Sequence, residues 1–114
     1  MPILKRLVAR KKRTGIYKMT VPVTDDPDNT VDTIEVDIIS TENQPTPHQQ
    51  IVILKFEENE EGDRLFGNTL NFDADATGEL YSITATMKNR RGETIPRNLN
   101  QEVEIQEINT PHEV

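Results

Sequence analysis

The stretch from Thr77 to Ile95, TGELYSITATMKNRRGETI, permits few structures. Tyr81, Ile83, Ala85 and Met87 alternate with Ser82, Thr84, Thr86 and Lys88. A period of two sends the first set to one face of a strand and the second set to the other. One face is apolar and the other carries hydroxyls ending in a lysine, the pattern of a strand buried on one side and wet on the other. Asn89-Arg90-Arg91-Gly92 supplies turn chemistry, with Gly92 free to take φ > 0. A return segment follows through Glu93–Ile95 and resumes over Glu102–Ile108, with Val103 and Ile105 inward.

The rest of the chain reads the same way. Gly15–Thr24 is a strand with Tyr17, Met19, Val21 and Val23 on one face. Pro22 cannot donate to a ladder, which makes this an edge strand or one that changes sheet there. Asp25–Asn29 is a turn, and Val31–Ser40 is a strand with Ile34, Val36 and Ile38 inward. Thr41–Gln49, with Pro45 and Pro47, is a loop. Gln50–Glu57 has Val52, Leu54 and Phe56 on one face and Ile51 and Ile53 on the other, so both faces are expected to find cover. Glu58–Gly67 reads as a charged loop, with one helical turn at Asp63–Phe66. Asn68–Asp73 is a short strand, Asp73–Gly78 a corner, and Pro96–Gln101 a linker. Six or seven short strands without a body helix predict a sandwich or small barrel.

The segment 77–105 resembles the last hairpin of an immunoglobulin-like or PKD-like β-sandwich domain. The residues that carry the likeness are Gly78, Tyr81, Ile83-Thr84-Ala85-Thr86, Lys88–Gly92 and Val103-x-Ile105. The resemblance implies that Tyr81 takes the tyrosine-corner position. It also implies that Ile83 stands where antibody domains have their second cysteine. The chain departs from that pattern in having no Trp and no Cys, and in placing Gly78 three residues before the Tyr. The fold expected is all-β: a small Ig-like sandwich of six or seven antiparallel strands.

Charge divides the chain more sharply than hydrophobicity does. Residues 1–18 hold Lys5, Arg6, Arg10, Lys11, Lys12, Arg13 and Lys18 and no acid. The remaining 96 residues hold all 20 acids and six bases. A basic arm, residues 1–13, is therefore expected on an acidic sandwich domain, residues 14–109, followed by a polar tail, 110–114. In the arm, Ile3, Leu4, Leu7 and Val8 would share one face of a short helix, with Pro2 in its first turn. Alternatively the arm is extended. Such asymmetry concerns partners and association.

Catalysis is not expected. The two histidines, His48 and His112, lie in a Pro-flanked loop and in the tail, and neither suggests a base beside a nucleophile. Without cysteine there is no disulfide framework and no thiolate metal site. No Gly-rich phosphate loop or HExxH occurs. Asn71, Asp73 and Asp75 have the alternate spacing of hard oxygen ligands for Ca²⁺. Gly78 falls at the eighth place and Ser82 at the twelfth, which breaks the EF-hand order, so an Asx-rich turn is the expectation and no cofactor is assigned. No apolar run is long enough to cross a membrane as a helix, and MPILKRLVARKKR lacks the apolar core of a secretion signal.

The arm is thus the candidate site, with Ile3, Leu4, Lys5, Arg6, Leu7, Val8, Arg10, Lys11, Lys12 and Arg13 as partner-binding residues. The function expected is a structural component of a larger assembly that grips other protein subunits and self-associates within it. By analogy, a tailed-phage capsid decoration (cement) or head–tail accessory protein, located in the virion and assembled in the host cytoplasm, fits this description. Two alternatives stand beside it. One is a small barrel using the arm on nucleic-acid phosphates. The other is an inhibitor that mimics DNA with outward acids on Thr33–Asp37 and Glu102–Glu107.

Overall fold

The computed structural model describes residues 2–13, 16–40, 49–71 and 80–104. Among them every regular element is a strand: β1 (Ile3–Leu4), β2 (Val8–Arg13), β3 (Ile16–Thr24), β4 (Thr33–Ser40), β5 (Gln49–Glu60), β6 (Asp63–Asn71), β7 (Leu80–Lys88) and β8 (Thr94–Glu104). All pairings are antiparallel. The hydrogen-bonded path runs β1-β3-β6-β5-β4-β7-β8, and β2 also pairs with β3.

That path forms two layers because β5 belongs to both. Its first half, Gln49–Lys55, pairs with β4, and its second half, Lys55–Glu60, pairs with β6. A bulge between Phe56 and Glu58 turns the strand from one layer into the other. One layer is β2/β1-β3-β6-β5 and the other is β5-β4-β7-β8. This is the A-B-E-D over C-F-G order of an immunoglobulin-like sandwich.

The alternation read in the sequence places the core. Tyr17, Met19, Val21 and Val23 of β3, Ile34, Val36 and Ile38 of β4, and Ile83, Ala85 and Met87 of β7 are all buried in one cluster. Val52, Leu54, Phe66, Leu70 and Ile95 join it from β5, β6 and β8, together with Leu7, Ala9 and Val31. Ile83, which the resemblance sets where antibody domains have their second cysteine, is buried in this cluster. Gly92 takes φ 78°, and Asn89 Oδ1 accepts from the backbone N–H groups of Arg91 and Glu93, each at 2.9 Å. The Asn89–Gly92 turn is built as expected.

Several expectations are corrected. Of the two forms expected for the arm, the extended one is found: it supplies β1 and β2, which bring the described strands to eight, and β2 pairs with β3 on either side of residues 14 and 15. Glu58–Gly67 is no loop, and no helical turn forms at Asp63–Phe66. The charges sit on exposed strand ends, and Glu61 (φ 50°) and Gly62 (φ 88°) make a two-residue hairpin turn with both φ values positive. Residues 96–101 are no linker. β8 runs through them, and the irregularity is confined to the register shift opposite Thr86–Lys88, where Pro96 needs no ladder donor. β3 is no edge strand either. Pro22 faces β6 residue Leu65 on one side, and on the other it lies in the gap between β1 and β2, where its carbonyl accepts from Lys5 N–H at 2.9 Å.

The two faces of β5 are not both covered. Ile51 is 58% exposed and Ile53 38%, and Phe56, turned out at the bulge, is 43% exposed. The loop containing Pro45 and Pro47, the 73–78 corner with Gly78, the side chain of Tyr81 and the tail at 110–114 lie outside the described residues.

Candidate functional site

The ten arm residues separate by burial and pairing once the strands are in place. Leu7 is buried and Leu4 packs against the core cluster. Ala9, unremarked in the sequence, is buried as well, so the arm is anchored by apolar contacts and Leu7 is not free to meet a partner. Val8 is half-buried. Lys5 is committed within the chain, its Nζ lying 3.0 Å from Asp63 Oδ2. That ammonium, bonded to the carboxylate, helps hold Asp63 below the usual aspartate range. Ile3, Arg6, Arg10, Lys12 and Arg13 are exposed, and none of these four cations has an ion-pair partner among the described residues. For Lys11 only the backbone position, opposite Tyr17, is described.

Electrostatics sharpens this edge. Arg10 lies directly opposite Lys18 across the β2–β3 ladder, and like charges so placed repel. Lys18 is neutralised by an ion pair with Glu57, which leaves Arg10 uncompensated. Glu57 and Asp63 are thus engaged by Lys18 and Lys5, and among the described residues no ion pair reaches the outer cations, on a chain of net charge −7. There is also a purely structural role for these cations: lysine and arginine on an outer strand discourage edge-to-edge pairing with neutral strands.

The outer face of the β4–β5–β7 layer is a second exposed surface. Ile51 and Ile53 stand opposite Asp37 and Glu35, which stand opposite Thr84 and Thr86. The acids do not form an unbroken row: Lys55 and Lys88 flank Thr33 at one end, and Gln49 Nε2 donates to both Asp37 oxygens at 3.0 and 3.2 Å. Glu102 and Glu104 lie on β8 by backbone only, and Glu107 is outside the described residues. Beyond Lys55, β5 and β6 part, leaving a groove of about 560 Å³ lined by Gln50, Ile51, Ile53, Asn68, Thr69 and Asn71 among others. Two side-chain amides cross it. Asn68 Nδ2 donates to the Ile53 carbonyl at 2.9 Å, and Gln50 Nε2 donates to the Asn71 carbonyl at 3.1 Å.

A polar cluster that sequence reasoning passed over lies at the opposite end. Asp26, read only as a turn residue, is buried. Its carboxylate accepts from Thr30 N–H at 2.9 Å, Val31 N–H at 3.0 Å and Arg64 Nη1 at 2.7 Å. Arg64 also donates to the Val31 carbonyl at 2.8 Å and lies 4.9 and 5.0 Å from the rings of Phe56 and Phe66. Burial alone would raise the Asp26 pKa, but the two backbone N–H groups and the guanidinium outweigh it and hold it below the ordinary value. Both Asp26 oxygens and the Arg64 Nη1 group are engaged within the chain, so the cluster reads as structural. The signal available in the sequence was Asp26 followed by an apolar Val31, the pattern of a carboxylate capping its own loop.

Among the described residues no three His, Cys, Asp or Glu side chains converge as metal ligands. His48, His112, Asp73 and Asp75 lie outside them, and Asn71 ends β6 with its carbonyl bonded to Gln50. No family model matches this sequence, and no curated protein does. Among solved structures, MtrC from Shewanella baltica OS185 is similar at TM-score 0.47 and 11% identity, over 92% of this chain and 22% of MtrC. Murine CRIg is similar at TM-score 0.42 and 14% identity, over 96% of this chain and 99% of that one. The chain thus spans about a fifth of MtrC. These are loose likenesses of backbone course, and neither lends this chain a function.

Proposed function

We propose that this chain is a non-enzymatic interaction module, a structural component of a larger assembly that engages protein subunits through the basic β1–β2 edge. The observation that carries this reading is the row of exposed Arg6, Arg10, Lys12 and Arg13, without ion-pair partners among the described residues, on a segment that Leu7 and Ala9 fix to the core. A positive edge held rigidly spends little ordering entropy when a partner arrives. Charge complementarity there sets orientation and encounter rate. The setting we favour is that of the sequence reading: a decoration or head–tail accessory protein of a tailed-phage virion, with copies of itself or of shell proteins as neighbours.

Reversing Arg10, Lys12 and Arg13 to glutamate tests it. These side chains point to solvent, so the fold survives. Light scattering of the assembled particle, or of the purified chain with its co-purifying partner, should show association lost in the variant and weakened by salt in the parent. Association unchanged in the variant refutes the reading. The same unpaired cations favour nucleic-acid phosphate as a second target. A gel shift with duplex DNA at low salt, steeply lost as salt rises, would select that reading.

A further inference from the structure

Backbone geometry at the same edge says how a partner is held. In an antiparallel strand the N–H and C=O of one residue point to the same side, and successive residues alternate. Pro22 directs its carbonyl at Lys5, on the arm side of β3. With β3 regular against β6 throughout, Thr20 and Lys18 direct their backbone groups to that side too. Their register partners are Val8 and Arg10. Val8 and Arg10 therefore spend their backbone groups on β3, and Ala9 and Lys11 turn theirs outward, where β2 has no second neighbour among the described strands.

Outward ladder groups and cations without an ion-pair partner among the described residues thus occupy the same six-residue strand. Arg10 and Lys12 alternate with Ala9 and Lys11, so charged residues flank the outward backbone groups along it. An uncharged strand, or a second β2 with its own cations, is disfavoured here by the charge of Arg10, Lys12 and Arg13. An acidic one is favoured by complementarity.

We propose that the outer edge of β2 accepts an extended acidic peptide segment of a partner protein as an added strand. Its backbone pairs with Ala9 and Lys11, and its carboxylates face Arg10, Lys12 and Arg13. This rests on the reading of the basic edge as the partner-binding surface, and adds the chemistry and conformation of what binds.

The probe is a short synthetic peptide alternating glutamate with valine, its binding to the full chain followed by calorimetry at low salt. The parent peptide should bind, and the same peptide with N-methylated amides should bind about tenfold or more weakly, since it keeps the charges and loses the ladder donors. On the protein, Lys11→Pro removes the outward N–H and spares the β3 ladder, so it should weaken binding well beyond Lys11→Ala. Equal affinity for the parent and N-methylated peptides overturns strand addition. So does the absence of peptide binding where duplex DNA binds. If the glutamate triple variant of Arg10, Lys12 and Arg13 still binds the parent peptide unchanged, the basic edge itself is the wrong surface, and the proposed function falls with it. If that variant loses binding while N-methylation costs nothing, the edge stands and only the added strand is wrong.

Discussion

Removing the Asp26 carboxylate should cost this domain a large part of its stability. The side chain is 1% exposed and that of Arg64 15%, so neither charge has ready access to water. In Asp26→Ala, two backbone N–H groups lose a charged acceptor, at about 1.5 kcal/mol each, and the Val31 N–H is left buried and unpaired. Arg64 is left as a part-buried cation holding only the Val31 carbonyl and two aromatic rings. Breaking such a pair from one side costs about 3–5 kcal/mol, against a stability of about 5–15 kcal/mol for a small domain. Asp26→Asn keeps the shape and one carbonyl acceptor, so about 2 kcal/mol is expected. Urea unfolding at pH 7, followed by far-ultraviolet circular dichroism, measures both, and Asp26→Ala combined with Arg64→Met should lose less than the two singles added.

The pH dependence gives an independent check. The folded pKa of Asp26 lies below its unfolded value of 3.8, so the carboxylate's contribution is fully present above that value. It is lost as pH falls below 3.8 and through the depressed folded pKa. The stability gap between the parent and Asp26→Asn should therefore close on acidification and stay constant from pH 5 to neutrality. An Asp26→Ala cost below about 1 kcal/mol, or a gap that does not narrow in acid, would refute the account of this cluster.

Three further outcomes follow from the described contacts. Leu7→Ala should destabilise by about 2–4 kcal/mol in the same urea experiment, because the arm is part of the core. Gly92→Val should cost about 1–3 kcal/mol, since φ 78° is strained for a β-branched residue, and the loss should show as a lower melting temperature. Gly67→Ala should change stability little: its Cβ would lie 2.8 Å from a Glu57 oxygen, the flexible end of a side chain that can swing away. In moving, Glu57 should release Lys18, which a changed Lys18 ammonium resonance in nuclear magnetic resonance spectra would reveal.

The alternating stretches were legible because a one-sided burial leaves a period of two, and β3, β4 and β7 each display it without interruption. Where charge and turn chemistry coincide, the reading failed. Glu58–Glu61 looks like solvated loop, yet a strand end needs no apolar residue on an exposed edge, and a Glu-Gly pair closed the hairpin in place of the usual Asn-Gly. The arm misled for a related reason. Leu4 and Leu7 fit a helical face as well as they fit two short strands, and only β3, distant in no sequence pattern, decides between them. Asp26 and Arg64 are 38 residues apart, and nothing local announces such a pair. Of the expected binding residues, the cations proved separable from the apolar anchors only once burial was known.

The corner in β5 has a consequence for how the chain tolerates change in length. Glu57 is the surplus residue there, opposite nothing in β6, while Phe56 and Glu58 face Phe66 and Leu65. Because one strand keeps count for both layers, an inserted or deleted residue before the corner would invert which side chains are dry in one layer and leave the other layer's tally intact. Deleting Glu57 itself would remove the bulge and straighten the bend, asking a single sheet to do the work of two. Evolution can therefore lengthen the Glu61-Gly62 tip freely, but every residue between Gln49 and Phe56 is held to an odd-and-even bookkeeping that spans the molecule.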